Sequence, residues 1–295
     1  MSADDMLRPR RSVLYMPGAN ARALEKAKTL PADALILDLE DAVAPDAKVE
    51  ARARVCEAAA SGEYGNREVT IRVNGIGTEW HDEDLRAAAK AGPAAVVVPK
   101  IGSAEEVLAV VRALEAAGAP EHTKVWAMIE TPGAILRAES IAAAHERLTG
   151  LVMGTNDLVK ELRAQRVPDR APMLTSLSIA ILAARAAGKL IFDGVYNDVK
   201  DLDGYEAEVR QGRAMGFDGK TLIHPGQIAL CNEIFSPADA EIAHARRVIE
   251  AFEQAQREKL GVATVDGRMI ENLHVEEARR VLAIADAIAA ADATR

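Results

Sequence analysis

Aromatic residues make up only 3% of this chain, and cysteine is nearly absent. Cys56 and Cys231 lie far apart and in no metal or redox spacing, so free thiols in a reducing compartment are expected rather than a disulfide framework. The start, MSADDMLRPRRS, has no hydrophobic signal core, and no stretch approaches 18 uninterrupted apolar residues. A cytoplasmic protein with no membrane partner is therefore expected. An excess of positive charge is also missing: 36 basic against 45 acidic residues leave a net charge of -9, which argues against nucleic acid as the main partner. Local basic clusters still suit a phosphorylated small molecule. No G-x-G-x-x-G follows the first strand-like run, which places a doubly wound nucleotide-binding sheet second among the candidate folds. No Ser or Cys sits in a nucleophile-elbow context, so covalent acyl chemistry has little support. No His/Cys cluster points to zinc.

What the chain does have is rhythm. Short apolar runs at 12–16, 34–40, 69–74, 94–100, 124–130, 150–154, 189–195 and 217–223 alternate with alanine-rich helical patterns, several opening on Asp, Asn or Ser and closing near Gly. Eight strand-then-helix units predict an α/β fold of the (β/α)8 TIM-barrel kind over residues 1–235. After 235 the rhythm changes. A long amphipathic helix running to Gly261, a turn-like Asp-Gly with β-like flanks and a second helix predict a C-terminal helical lid extension over 236–295, too small for an ordinary independent domain.

In a barrel the C-terminal strand ends converge on one face, where chemistry sits. Those ends carry Tyr15, Pro17, Asp38, Glu40, Asp41, Arg72, Asn74, Lys100, Glu130, Asn156, Asp157, Asp193 and His224. Glu130 directly follows the apolar run VWAMI and precedes Thr131-Pro132-Gly133, so it closes a buried strand with a charge that is costly to desolvate unless paired. Asp157 comes from the next strand, about 4.8 Å away. Two such carboxylates, with open positions for water and substrate oxygens, suit Mg2+. The alternative is that Glu130 caps the helix after Pro132 and Asp157 caps LVKELR.

Arg72, inside TIRVN, is suited to bind a carboxylate or carbonyl oxygen and stabilise an enolate; a salt bridge to Glu40 or Asp38 is compatible with that role. Asn20 at a helix start, with Arg22, Lys26 and Lys28 following, suits phosphate, a solvated helix face being the alternative for any one of the cations. His224 and Asp193 read equally as structural or site residues. His81, His122, His145 and His244 read as surface positions.

RSVLYMPGAN, ALILDLEDAVAPDAKVEAR, IRVNG, VVPKI, MIETPGAI, GTNDL and FDGKTLIHPGQI together resemble the citrate lyase beta-subunit-like proteins of the HpcH/HpaI aldolase family, relatives of malyl-CoA and citramalyl-CoA lyases. The resemblance implies a (β/α)8 barrel that binds Mg2+ and makes or breaks a C–C bond between an acyl thioester and a 2-keto acid. It makes Glu130 and Asp157 the metal ligands. Arg72 becomes the enolate stabiliser, supported by Glu40. Tyr15, Pro17, Asn20, Arg22, Lys26 and the Gly154-Thr155-Asn156 turn fall to substrate and CoA.

The tail, VDGRMIENLHVEEARR, is similar to the family's lid. There an Asp followed by a proline motif acts as acid/base in a neighbouring subunit of a homotrimer or hexamer; this chain has Glu271 and no such proline. The beta subunit of the citrate lyase complex is expected to lack that lid. The expected activity is Mg2+-dependent retro-aldol cleavage of a 3-hydroxyacyl-CoA, such as citramalyl- or malyl-CoA, into an acyl-CoA and a 2-keto acid. The alternatives are a 3-hydroxyacyl-CoA thioesterase, a citryl-acyl-carrier-protein lyase subunit, and a catalytically silent acyl-CoA-binding protein.

Overall fold

The computed structural model describes residues 3–258 and 262–294, which divide into two compact units. The larger, residues 10–233, is built on eight strands: β1 (Ser12–Pro17), β2 (Ala34–Asp38), β3 (Glu68–Arg72), β4 (Ala95–Val98), β5 (Lys124–Ile129), β6 (Leu148–Met153), β7 (Leu190–Asp193) and β8 (Gly219–Leu222). Each pairs in parallel with the next, and β8 pairs with β1, closing the barrel. Closure buries both faces of every strand, which is why the sequence shows unbroken apolar runs rather than alternation. Val13, Ile36, Val97, Trp126, Met128, Val152 and Phe192 fill the interior, with the Trp126 and Phe192 rings 4.7 Å apart.

The intervening helices are set by local signals. Ser103 accepts from the Glu106 N–H and Asp201 from the Gly204 N–H, while Gly92 and Gly216 end their helices at φ 64° and 101°. The helical pattern expected between the fifth and sixth strand runs is broken. Residues 134–148 do not form a single run but the short helices Pro132–Leu136 and Ala138–Ala142, separated at Arg137, whose φ of -113° leaves the helical path. Residue 148 already belongs to β6.

The second unit comprises residues 234–294 together with the N-terminal residues up to 9. Helix Asp239–Arg257 is followed by a hairpin of β9 (Ala263–Val265) and β10 (Arg268–Ile270), then by helix Asn272–Ala293. The Gly261 stop expected for the first helix lies outside the described residues. Asp266 and Gly267, at φ 51° and 77°, make the hairpin's two-residue turn, a conformation Asp-Gly adopts at low cost. Val248, Val265, Ile270 and Val275 are among the residues of this unit's own core. No helix among the described residues is long and apolar enough to cross a membrane.

Candidate active site

A cavity of about 300 Å³ opens at the C-terminal ends of the strands. Tyr15, Asp38, Arg72, Glu130, Gly154, Thr155, Asn156 and Asp157 all line it, so the barrel brings together most of the residues expected there. Asp41, Ala42, Met128, Met153, Val195, Asn197, Thr221 and Ile223 complete the wall.

Glu130 sits one residue past β5 and is 2% exposed. It does not cap the following helix; Thr131 does, accepting from the Ala134 N–H. The Glu130 Oε1 instead accepts from the backbone N–H of Lys100 at 2.6 Å, from across the neighbouring β4 end. Lys100 holds that orientation at φ 54°, a left-handed conformation costly for a non-glycine residue. Burial above all pushes Glu130 up to about 7; the Lys100 N–H opposes this, and the charges of Asp157 and Glu40 add to it.

Asp157 lies inside helix Thr155–Glu161, whose cap position is Gly154, so it too is free of the capping role. Its side chain is 30% exposed and 3.9 Å from the Lys100 ammonium. Two carboxylates close enough for one to raise the other's pKa form an arrangement that a cation relieves. Two carboxylate donors on one cavity wall, with positions left open for water and substrate oxygens, are a donor set that suits a hard ion keeping several waters.

Arg72 ends β3 and lines the same cavity as this pair. Its Nε and Nη2 donate to the two Asp38 oxygens at 2.6 and 2.7 Å, and Nη1 stands 2.5 Å from Glu40 Oε2. The guanidinium lies over the Tyr15 ring, 4.8 Å from its centroid. Burial would lower the Arg72 pKa, but Asp38, Tyr15 and Glu40 outweigh it and hold the group charged. Glu40 itself is lifted to about 6 by burial, against Arg72 and with Asp41 and Asp38. The Tyr15 hydroxyl meets only Met128 Sδ, at 3.9 Å, among the described residues. Burial foremost raises its pKa, so it is a protonated donor at neutral pH.

Other expected residues fall elsewhere. Asn20 spends its side chain capping Ala23, on a helix of only seven residues, and Arg22 and Lys26 are exposed there; none of them, nor Pro17, lines the cavity. Glu40 acts behind Arg72 rather than in the wall. Glu271 belongs to the second unit, exposed, with its backbone N–H donating to His274 Nδ1 at 2.9 Å. His224 is exposed and accepts from the Gly226 N–H. Asp193 is fully buried between Arg170 and Lys220. Burial would raise its pKa, but those two cations prevail and hold it low, a structural role.

His81, expected at the surface, is 7% exposed with Nδ1 2.8 Å from the Asn74 carbonyl, and His145 is half-buried. Asn197 was not foreseen. It exchanges amide hydrogen bonds with Asn156, which also accepts from Arg166, and the only sequence signal for it is its position two residues past the LIFDGV run.

Residues 11–225 match the HpcH/HpaI aldolase/citrate lyase family. The chain belongs to that family. A (3S)-malyl-CoA thioesterase of Cereibacter sphaeroides is 54% identical over 282 residues, 96% of each chain. Citrate lyase subunit beta of Escherichia coli is 41% identical over 284 residues, 95% of this chain and 94% of its own. That span includes most of the tail, so the expectation that the tail separates this family member from citrate lyase beta subunits does not hold. The structure of CitE from Mycobacterium tuberculosis in complex with magnesium, acetoacetate and coenzyme A is 31% identical, with a TM-score of 0.74 over 93% of this chain and 97% of that one.

Proposed function

We propose that this HpcH/HpaI family member acts on a short 3-hydroxyacyl-CoA of the malyl type and hydrolyses its thioester. The observation that carries the reading is that Glu130, Asp157 and Arg72 line one small cavity together. The carboxylate pair is the place for Mg2+, which when bound supplies Lewis acidity and an anchor for two substrate oxygens. The CitE complex with magnesium and coenzyme A supports both assignments.

The chain's own residues do the rest. Glu130, held by the Lys100 N–H, and Asp157 present their oxygens on one side. Arg72, fixed by Asp38 and Glu40, donates to the thioester carbonyl oxygen as it gains negative charge, where preorganised donors act most strongly. The Tyr15 hydroxyl gives a second donor on the same wall. Met128, Met153 and Val195 keep the inner cavity apolar. A water oxygen bonds to the carbonyl carbon, the C–S bond breaks, and the thiolate of CoA leaves and takes up a proton. By the family resemblance, Glu271 from a second copy in a homotrimer or hexamer takes the proton from that water. Asn20, Arg22 and Lys26 bind CoA on the outer face.

Hydrolysis is preferred because the 54% identical thioesterase matches nearly end to end. Retro-aldol cleavage to an acyl-CoA and a 2-keto acid is the second reading, supported by the likeness to citrate lyase subunit beta and to a citrate lyase beta subunit of M. tuberculosis complexed with oxaloacetate and magnesium. Mass spectrometry of products from malyl-CoA with Mg2+ decides. Malate and free CoA are expected; acetyl-CoA and glyoxylate would make the chain a lyase. No turnover of malyl-, citramalyl- or methylmalyl-CoA would overturn both readings.

A further inference from the structure

Asn74, just past the end of β3 and 2% exposed, does not line the cavity. Its side chain belongs to a buried run of hydrogen bonds behind the site. The Asp84 carboxylate accepts from the Asn74 backbone N–H at 3.0 Å and from Nδ2 at 2.6 Å, and from Arg52 Nε at 2.6 Å. With Nδ2 so engaged, Asn74 Oδ1 accepts from the Lys48 ammonium at 2.6 Å. The same ammonium donates to the backbone carbonyls of Leu39 and Glu40, each at 2.9 Å. All three ammonium protons are thus used, on a lysine 6% exposed whose Nζ also stands 4.9 Å from the Trp80 ring centroid.

Those two carbonyls belong to the turn that carries Glu40. Asp38 holds the same turn through the N–H groups of Glu40 and Ala42, at 2.9 and 3.0 Å. The turn is therefore clamped through its N–H groups by an anion and through its carbonyls by a cation. Its product is the contact of Glu40 with Arg72 Nη1, while Asp38 takes the Nε and Nη2 edge. Three of the five guanidinium N–H groups are spoken for, and two lie outside these bonds.

We infer that Lys48 is a positioning residue: by fixing the Leu39 and Glu40 carbonyls it seats Glu40 on Arg72 and so sets how the guanidinium meets the substrate. The inference rests on the role given to Arg72 under the proposed function. Tethering a loop does not by itself call for a buried ammonium, which is costly to desolvate. Orienting one carboxylate against one guanidinium does, because misplacement on the order of 1 Å can cost ~100-fold in rate.

The test is a double-mutant cycle on malyl-CoA hydrolysis, with Lys48→Met, Glu40→Gln and both, alongside crystal structures of Lys48→Met and Lys48→Arg. Lys48→Met is expected to lower kcat on the order of 10- to 100-fold with little change in KM. In the Glu40→Gln background it should cost less than about threefold more, because its effect runs through Glu40. In the crystal its Glu40 carboxylate should leave Nη1. Equal losses in both backgrounds, or a Glu40–Arg72 contact that persists in the variant, would overturn the inference. If Lys48→Met does not fold, Lys48→Arg is read in the same cycle. A wild-type chain that turns over no malyl-type thioester sinks the functional reading alone, since the crystal structures still decide where Glu40 sits.

Discussion

Gly154 and Glu130 are packed so closely that a Cβ on Gly154 would fall within the space of the Glu130 side chain. The backbone of Gly154, at φ -91°, is one any residue adopts, so glycine is needed there for room and not for conformation. The added methyl would meet Glu130 Cβ as well as its carboxylate, so Gly154→Ala is expected to shift the strand end locally and carry the Glu130 carboxylate off the Lys100 N–H. Mg2+ affinity should fall about 10- to 100-fold, the range seen when a group supporting a metal ligand is lost. Titration calorimetry of the variant measures it, and unchanged affinity would show that Glu130 does not hold the ion.

The raised pKa values of Glu130 and Glu40 set the sign of two pH effects. A carboxyl raised in the folded state costs stability as it ionises, so the metal-free protein should lose stability as pH climbs from about 4.5 toward 7. Asp193, held low, acts in a separate window: its contribution is present above the ordinary Asp range and is lost as pH falls below it. If Glu130 is a Mg2+ ligand as proposed, the ion competes with the proton there and is expected to reverse the first effect. Below about 7 its apparent affinity should drop by up to about tenfold per pH unit, and above 7 it should level off. Thermal melts in chelator and in Mg2+, at pH 5.5 and pH 8, give both signs; a metal-free melt higher at pH 8 would contradict the first.

The barrel was legible because closure demands unbroken apolar strands, and VWAMI or LILD can be little else. Several strand ends were read too long: Leu39 and Val73 are fully buried yet lie past the last paired residues Asp38 and Arg72. Glu130 was legible as a charge at the end of a buried run, but its partner was not. The Lys100 N–H comes from 30 residues away through a left-handed residue, and composition does not signal such a bond. Nothing in the sequence around Lys48 marks it out among the chain's cations; only the folded turn shows that its ammonium is used inward. Arg22 and Lys26 stand exposed near a helix start and outside the cavity wall, so their assignment to CoA rests on the family resemblance alone.

Arg72 is a case where lysine is no substitute. Its fork grips both Asp38 oxygens and Glu40 at once, which a single ammonium does not reproduce. Arg72→Lys should lower kcat/KM by about 10²–10³-fold, the scale of losing one preorganised oxyanion donor. Mg2+ affinity should stay within about threefold, because Arg72 is not a ligand. Steady-state kinetics and calorimetry on the same preparation separate the two; equal losses in both would mean that Arg72 supports the metal site rather than the reacting carbonyl.

Glu271 carries the assignment most exposed to test, because it stands on the second unit, away from the barrel residues in sequence and exposed at the start of the last helix. If it moves the proton, Glu271→Gln removes the only property that matters while keeping size and the His274 contact, which is made by the backbone. General acid–base groups contribute about 10²–10⁴-fold, so kcat should fall on that scale with Mg2+ affinity unchanged. Glu271→Asp should recover part of the loss, since it keeps the carboxylate and shortens its reach by one methylene. Mixing inactive Glu271→Gln with inactive Glu130→Gln then asks whether the group works in trans: subunit exchange should restore activity by pairing an intact barrel with an intact tail. A mixture as inactive as its parts would remove Glu271 from the site of a second copy.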